Sequence, residues 1–124
     1  MSSFSADISK FAKKAGLSSD EAVVAVCSTL TALVIAKTPE LSGRLRGNWF
    51  ASIDNYSSEI KDKRRENQAK RDGLAIAKKA SGHIFTLTNN LPYAYRIEYL
   101  GWSHTKTPEG MARVSMAEVA NSLK

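Results

Sequence analysis

The stretch LTNNLPYAYRIEYLGWSH, residues 87–104, crowds Tyr93, Tyr95, Tyr99 and Trp102 around one carboxylate, Glu98, with Arg96 beside it and His104 at its end. A carboxyl group buried among such rings could act as a general base. A lone carboxylate next to an arginine more often forms an ion pair or anchors backbone. A glycosidase also needs a second positioned carboxylate, and the spacing here offers none. His83 and His104 fall in different elements, without a Cys, Asp or Glu at metal-ligand spacing. Cys27 is the single cysteine, so no intrachain disulfide can form. It lies in an apolar helical stripe, where a thiol behaves as a small hydrophobe. LSGRLRGNW lacks the spacing and the Lys-Ser/Thr pair of a phosphate-binding loop. No set of catalytic groups converges, so the expectation is a non-enzymatic protein with no cofactor and no metal.

Charge is the second chemical signal. The chain carries a formal +6, which permits an anionic partner without requiring one. Nearly all of the excess lies between residues 61 and 79. Eight cations (Lys61, Lys63, Arg64, Arg65, Lys70, Arg71, Lys78, Lys79) there face three acids (Asp62, Glu66, Asp72). Lys63, Arg64, Arg65, Lys70 and Arg71 are the candidates for contact with phosphate or an acidic partner. Three uses compete: a solvated flexible face, phosphate contact, or docking onto an acidic protein ring by a segment that orders on assembly. Residues 61–80 contain no aromatic side chain, which argues against base stacking.

The elements that must position these groups follow from periodicity. Phe4, Ile8, Phe11 and Ala15 share a helical face. Ser18 and Glu21 have capping-box spacing ahead of Val23, Val26, Cys27, Leu30, Leu33 and Val34, and Thr38-Pro39 stops that helix. Trp49, Ala51 and Ile53 alternate with Phe50, Ser52 and Asp54, as a strand does. Residues 60–80 read as an exposed, mobile charged loop passing into a short helix that Gly73 weakens. Ile84, Thr86 and Thr88 alternate with Phe85 and Leu87 in a second strand, and Asn89-Asn90 mark a turn. Tyr93–Leu100 fits a strand or a short helix. Residues 111–124 predict a terminal helix. The expected fold is α+β, a single domain over 1–124: long N-terminal helices packed on a small antiparallel sheet, with a C-terminal helix. The N-terminal residues lack the apolar core of a signal peptide. No run of eighteen apolar residues occurs, so no membrane span is expected.

Three stretches in this order resemble the neck or tail-completion proteins of tailed double-stranded-DNA bacteriophages, the group that includes minor tail protein Z. The first is Thr38-Pro39 followed by Ser42-Gly43-Arg44-Leu45-Arg46 and Asn48-Trp49. The second is Asn89-Asn90-Leu91-Pro92-Tyr93-Ala94 running into Ile97-Glu98-Tyr99 and Gly101-Trp102-Ser103. The third is Pro108-Glu109-Gly110-Met111. They span roughly residues 38–119, and the charged stretch 61–80 lies outside the likeness. The resemblance implies a virion structural protein, assembled in the host cytoplasm. It would form a homo-oligomeric ring, expected as a hexamer or dodecamer, that completes the tail and joins it to the portal-connector complex. Connector, terminator or tail-tube proteins would be its neighbours, with genomic DNA passing close by and no membrane involved. Arg44 and Arg46 would then pair with carboxylates across a subunit boundary, Glu98 among them. Trp49, Tyr93 and Trp102 would be anchors there. A tail terminator capping the tube is the alternative within that setting. A small basic nucleic-acid-binding module is the alternative from another class.

Overall fold

A computed structural model describes residues 4–39, 43–92, 94, 98 and 110–123. The described elements run α1 (Phe4–Ala15), α2 (Ser19–Lys37), α3 (Arg44–Gly47), β1 (Trp49–Ile53), α4 (Glu66–Ala77), β2 (Phe85–Asn89) and α5 (Ala112–Ser122). The class is α+β, as the patterning predicts.

In α1 the buried face runs through Asp7 and Ala12, with Ile8 and Phe11 half-buried beside them. Ala15, expected on that face, is exposed. Gly16 ends the helix at φ 72°, a left-handed conformation that costs glycine little. The capping box of α2 forms as expected. The Glu21 amide donates to Ser18 Oγ at 3.1 Å, and the Ser18 amide donates to Glu21 Oε1 at 3.0 Å. At the other end Thr38 is extended ahead of Pro39. Only Ala22, Val26, Thr31, Val34 and Ile35 of α2 are fully buried, while Val23, Cys27, Leu30 and Leu33 are half-buried. By length and composition alone α2 is apolar enough to cross a membrane, with a mean hydropathy of 1.6, a test that the core helix of a soluble protein also passes. Here it is the central helix, meeting α1, α4 and α5.

The sheet pairs β1 and β2 antiparallel, with Trp49 opposite Asn89 and Ile53 opposite Phe85. Trp49 is buried in the main core with Val34, Ile35, Leu45, Ala69, Leu91, Ala94 and Met111, and Leu87 packs against them. A second cluster of Val26, Val119 and Leu123 ties α2 to α5. Pro92, Ala94 and Glu98 are helical, so the described part of 93–100 follows the helical option and adds no strand.

The charged stretch departs most from expectation. Residues 66–77 form a regular helix packed on both α2 and β1. Its inner face is Ala69, Gly73 and Ala77, too small to register as an apolar stripe. Small residues let helix backbones approach closely. A Cβ on Gly73 would lie 2.6 Å from Thr31 Cγ2. The residue that weakens the helix in isolation is the one that allows it to dock.

Candidate functional site

Gly47, Asn48 and Trp49 form a junction between α3 and β1, and the residues preceding α4 are fastened to it. Asn48 is fully buried. Its Nδ2 donates to the carbonyls of Arg44 at 2.7 Å and Lys61 at 2.9 Å, while its Oδ1 accepts from the Lys61 amide at 2.8 Å. The backbone of Arg64 passes so close to Gly47 that a Cβ there would sit 1.8 Å from the Arg64 carbonyl oxygen. Trp49 donates from Nε1 to Thr38 Oγ1 at 2.8 Å, and Thr38 donates in turn to the Val34 carbonyl at 2.7 Å. At 6% exposure, Trp49 is a core residue, which corrects its assignment as a boundary anchor.

The arginines expected to face outward divide into two groups. Arg64 is 5% exposed. Its Nη1 donates to the carbonyls of Gly47 at 3.0 Å and Trp49 at 2.7 Å, its Nη2 meets Asp72 Oδ2 at 3.1 Å, and its guanidinium carbon stands 4.1 Å from the centre of the Phe50 ring. It is a buried strut rather than a phosphate contact. Arg44 meets Asp62 Oδ1 at 2.7 Å. Arg46 meets Glu66 Oε2 at 3.1 Å while donating to the carbonyls of Thr38 and Ala36 at the end of α2. A cation is favourable there because the helix leaves its last carbonyls unsatisfied. Both arginines therefore find carboxylates within the chain. Each of the three acids of the basic segment, Asp62, Glu66 and Asp72, is engaged by one of these arginines.

Glu98 caps a helix. Its carboxylate accepts from the Met111 amide at 2.8 Å, the Ala112 amide at 2.7 Å, the Arg113 amide at 3.2 Å and Arg113 Nε at 2.9 Å. The Arg113 guanidinium also donates to the Glu98 carbonyl. Burial pushes the Glu98 carboxyl upward. The three amides at the start of α5 and the guanidinium outweigh that penalty and hold its pKa below the ordinary value. Gly110, at φ 96°, leaves room for the carboxylate, since a Cβ there would lie 2.4 Å from Glu98 Oε2. An open cavity of about 470 Å³ adjoins the cap, lined by Trp49, Leu87, Leu91, Ala94, Met111 and Glu98 among others. Among the described lining residues the one carboxylate, Glu98, is already committed to α5. Tyr93 and Trp102, the remaining boundary candidates, lie outside the described residues, as do Tyr95, Arg96, Tyr99, His104 and Glu40.

The outer surface carries three features. Lys63, Lys70, Arg71, Lys78 and Lys79 are exposed. Arg65 is also exposed, with its Nη1 donating to the Asp62 carbonyl at 2.9 Å. Among the described residues no strand pairs with the outer edge of β2. The Asp54 amide donates to the Ile84 carbonyl at 2.8 Å, and the antiparallel alternation then turns the amides and carbonyls of Phe85 and Leu87 away from β1. Among the described residues nothing bonds to them. Beside that edge Ile84 is 72% exposed, and Tyr56 is exposed on the loop that follows β1. His83 Nδ1 is 2.6 Å from Asp54 Oδ2, so this histidine pairs at a strand end. The amide of Ile84 and the His83 ring hold the Asp54 carboxyl below its ordinary value. Burial pushes the Cys27 thiol up. Among the described residues no group of three metal-ligating side chains gathers.

Asn48 and Arg64 are the structural residues that sequence reasoning missed. Asn48 stood inside a quoted motif, but its three bonds reach residues on either side of β1. Arg64 was indistinguishable from its cationic neighbours. No family model matches the chain, and neither the curated proteins nor the solved structures yield a match.

Proposed function

We propose that the chain is a ring-forming structural protein of the head-tail junction of a tailed phage, completing the tail and joining it to the portal-connector complex. The observation that carries this reading is how the three resembling stretches meet in space. Trp49 bonds to Thr38, Arg46 reaches the Thr38 carbonyl, Asn89 Nδ2 donates to the Leu45 carbonyl at 2.9 Å, and Glu98 holds Met111. The described residues of these stretches therefore form one connected framework. The β2 edge, unpaired among the described residues, supports the oligomeric part of the reading, because such an edge is a template for a neighbouring chain. A cyclic ring needs two different complementary faces, and the β2 edge and the cationic α4 face lie on different elements. No catalytic step belongs to this reading.

The test is native mass spectrometry of the purified chain alone and with the connector and tail-tube proteins encoded beside it, together with its copy number in purified particles. The expected result is a closed ring when partner rings are present, at a copy number that is a multiple of the ring size. A chain that stays monomeric with every partner and is missing from particles overturns it. The tail-terminator alternative predicts association with the tube alone. The nucleic-acid module predicts tight DNA binding by the isolated monomer and no ring.

A further inference from the structure

We propose that the solvent face of α4 and its flanks is a contact surface for the phosphate backbone of duplex DNA, independent of base sequence. The argument starts from the distribution of charge. Each of the segment's three carboxylates is paired with an arginine, Asp62 with Arg44, Glu66 with Arg46 and Asp72 with Arg64. Lys63, Lys70, Arg71, Lys78 and Lys79 remain exposed, and none of them pairs with a carboxylate among the described residues. Folding thus pairs the acids of a mixed-charge stretch and leaves its five exposed cations as the unpaired charge. With Ala69, Gly73 and Ala77 facing inward, the 3.6-residue period places Arg71 on the opposite ridge and Lys70 toward the edge of the inner face, while Lys78 caps the helix and Lys79 follows it.

The composition of that face selects among anionic partners. It has no aromatic residue to stack a base, which disfavours single strands. Its exposed apolar content is little more than Ala75, whereas a protein partner is usually held by buried aromatic or aliphatic anchors. Four of the five cations are lysines, which act on phosphate as point charges. The pairs Lys70/Arg71 and Lys78/Lys79 stand about 12 Å apart along the helix axis. That separation is close to the major-groove width of about 12 Å, so the two pairs can reach phosphates on both sides of one groove. Cations that contact only phosphate position a protein on DNA without reading sequence.

The proposal does not rest on the ring reading. It is tested on the free full-length chain, so failure to form a ring leaves it standing, and loss of DNA binding leaves the ring reading standing. Fluorescence anisotropy with a labelled mixed-sequence duplex of about 20 base pairs, titrated between about 50 and 200 mM salt, should give weak binding that falls steeply with salt. The expected log-log slope is about −4, at roughly 0.9 per phosphate neutralised. The triple variant Lys70→Gln/Arg71→Gln/Lys78→Gln should bind at least about tenfold more weakly at 50 mM salt and lose about 2 to 3 from the slope. The charge-matched variant Lys10→Gln/Lys13→Gln/Lys14→Gln, on the exposed side of α1, should change affinity less than about threefold. The single variant Lys78→Glu provides a second reading with minimal demand on folding, and should weaken binding in the same direction. Equal losses from the α1 and α4 triples would reduce the effect to net charge and overturn the proposal. Unchanged binding by both α4 variants, or tighter binding of single-stranded DNA or polyglutamate than of duplex, would overturn it as well.

Discussion

A carboxylate that accepts from three successive amides and a guanidinium recovers from ionisation more than burial takes away. Glu98 is held this way, and its folded pKa lies below the ordinary value of 4.5. Its contribution to stability is therefore complete above that value and is lost as pH falls through the lower folded value. Urea unfolding followed from pH 7 downward should show stability declining below about pH 4.5. Asp54, also depressed, adds to the decline in the same direction. Glu98→Gln keeps the shape but loses the charge. It should cost about 2–3 kcal/mol at pH 7 and flatten the acid limb, and an unchanged acid limb would remove Glu98 from this role. Asn48→Ala strands two carbonyls and an amide around a fully buried side chain, and should cost about 2–4 kcal/mol by the same measurement. The sequence offers Glu98 as an ion-pair partner or a backbone anchor, but its partner Arg113 is fifteen residues downstream and no local pattern links them. Trp49 has the residue type of an interface anchor. Its place in the main core and its bond to the Thr38 hydroxyl, eleven residues away, mark it as interior.

At the scale of elements, legibility depends on whether the packing face is made of large side chains. The capping box and apolar period of α2, and the alternation in β1 and β2, are visible because valine, leucine, tryptophan and phenylalanine carry them. The helix α4 is not, because it docks through Ala69, Gly73 and Ala77, and the eye follows its charges instead. This gives Gly73 an unusual substitution profile. Alanine would normally gain about 1 kcal/mol in a helix interior. Here the added Cβ meets Thr31 Cγ2, and overpacking of this kind costs about 1–3 kcal/mol. Gly73→Ala should therefore destabilise. Thr31→Ser keeps the hydroxyl bond to the Cys27 carbonyl while removing the offending methyl. The double variant should recover most of the loss, and a double-mutant cycle with no coupling would show that the two helices do not meet as described.

Across the whole molecule, stability is graded around α2. Its inner side joins the main core to the smaller Val26–Val119–Leu123 cluster, and Leu30 packs against both. By contrast α1 is attached through Ile8, Phe11 and Ala12 and turns Lys10, Lys13 and Lys14 to solvent. Native-state hydrogen exchange should find the most protected amides in the middle of α2 and in β1, with α1 opening at distinctly lower free energy. Uniform protection across α1 and α2 would contradict this. Finally, three arginine–carboxylate pairs, one of them built on the buried Arg64, hold the α4 segment, and the exposed lysines take no part in that support. Stability and surface charge are therefore separate quantities in this chain. Lineages could lose, gain or reverse the outer cations while inheriting the same scaffold unaltered.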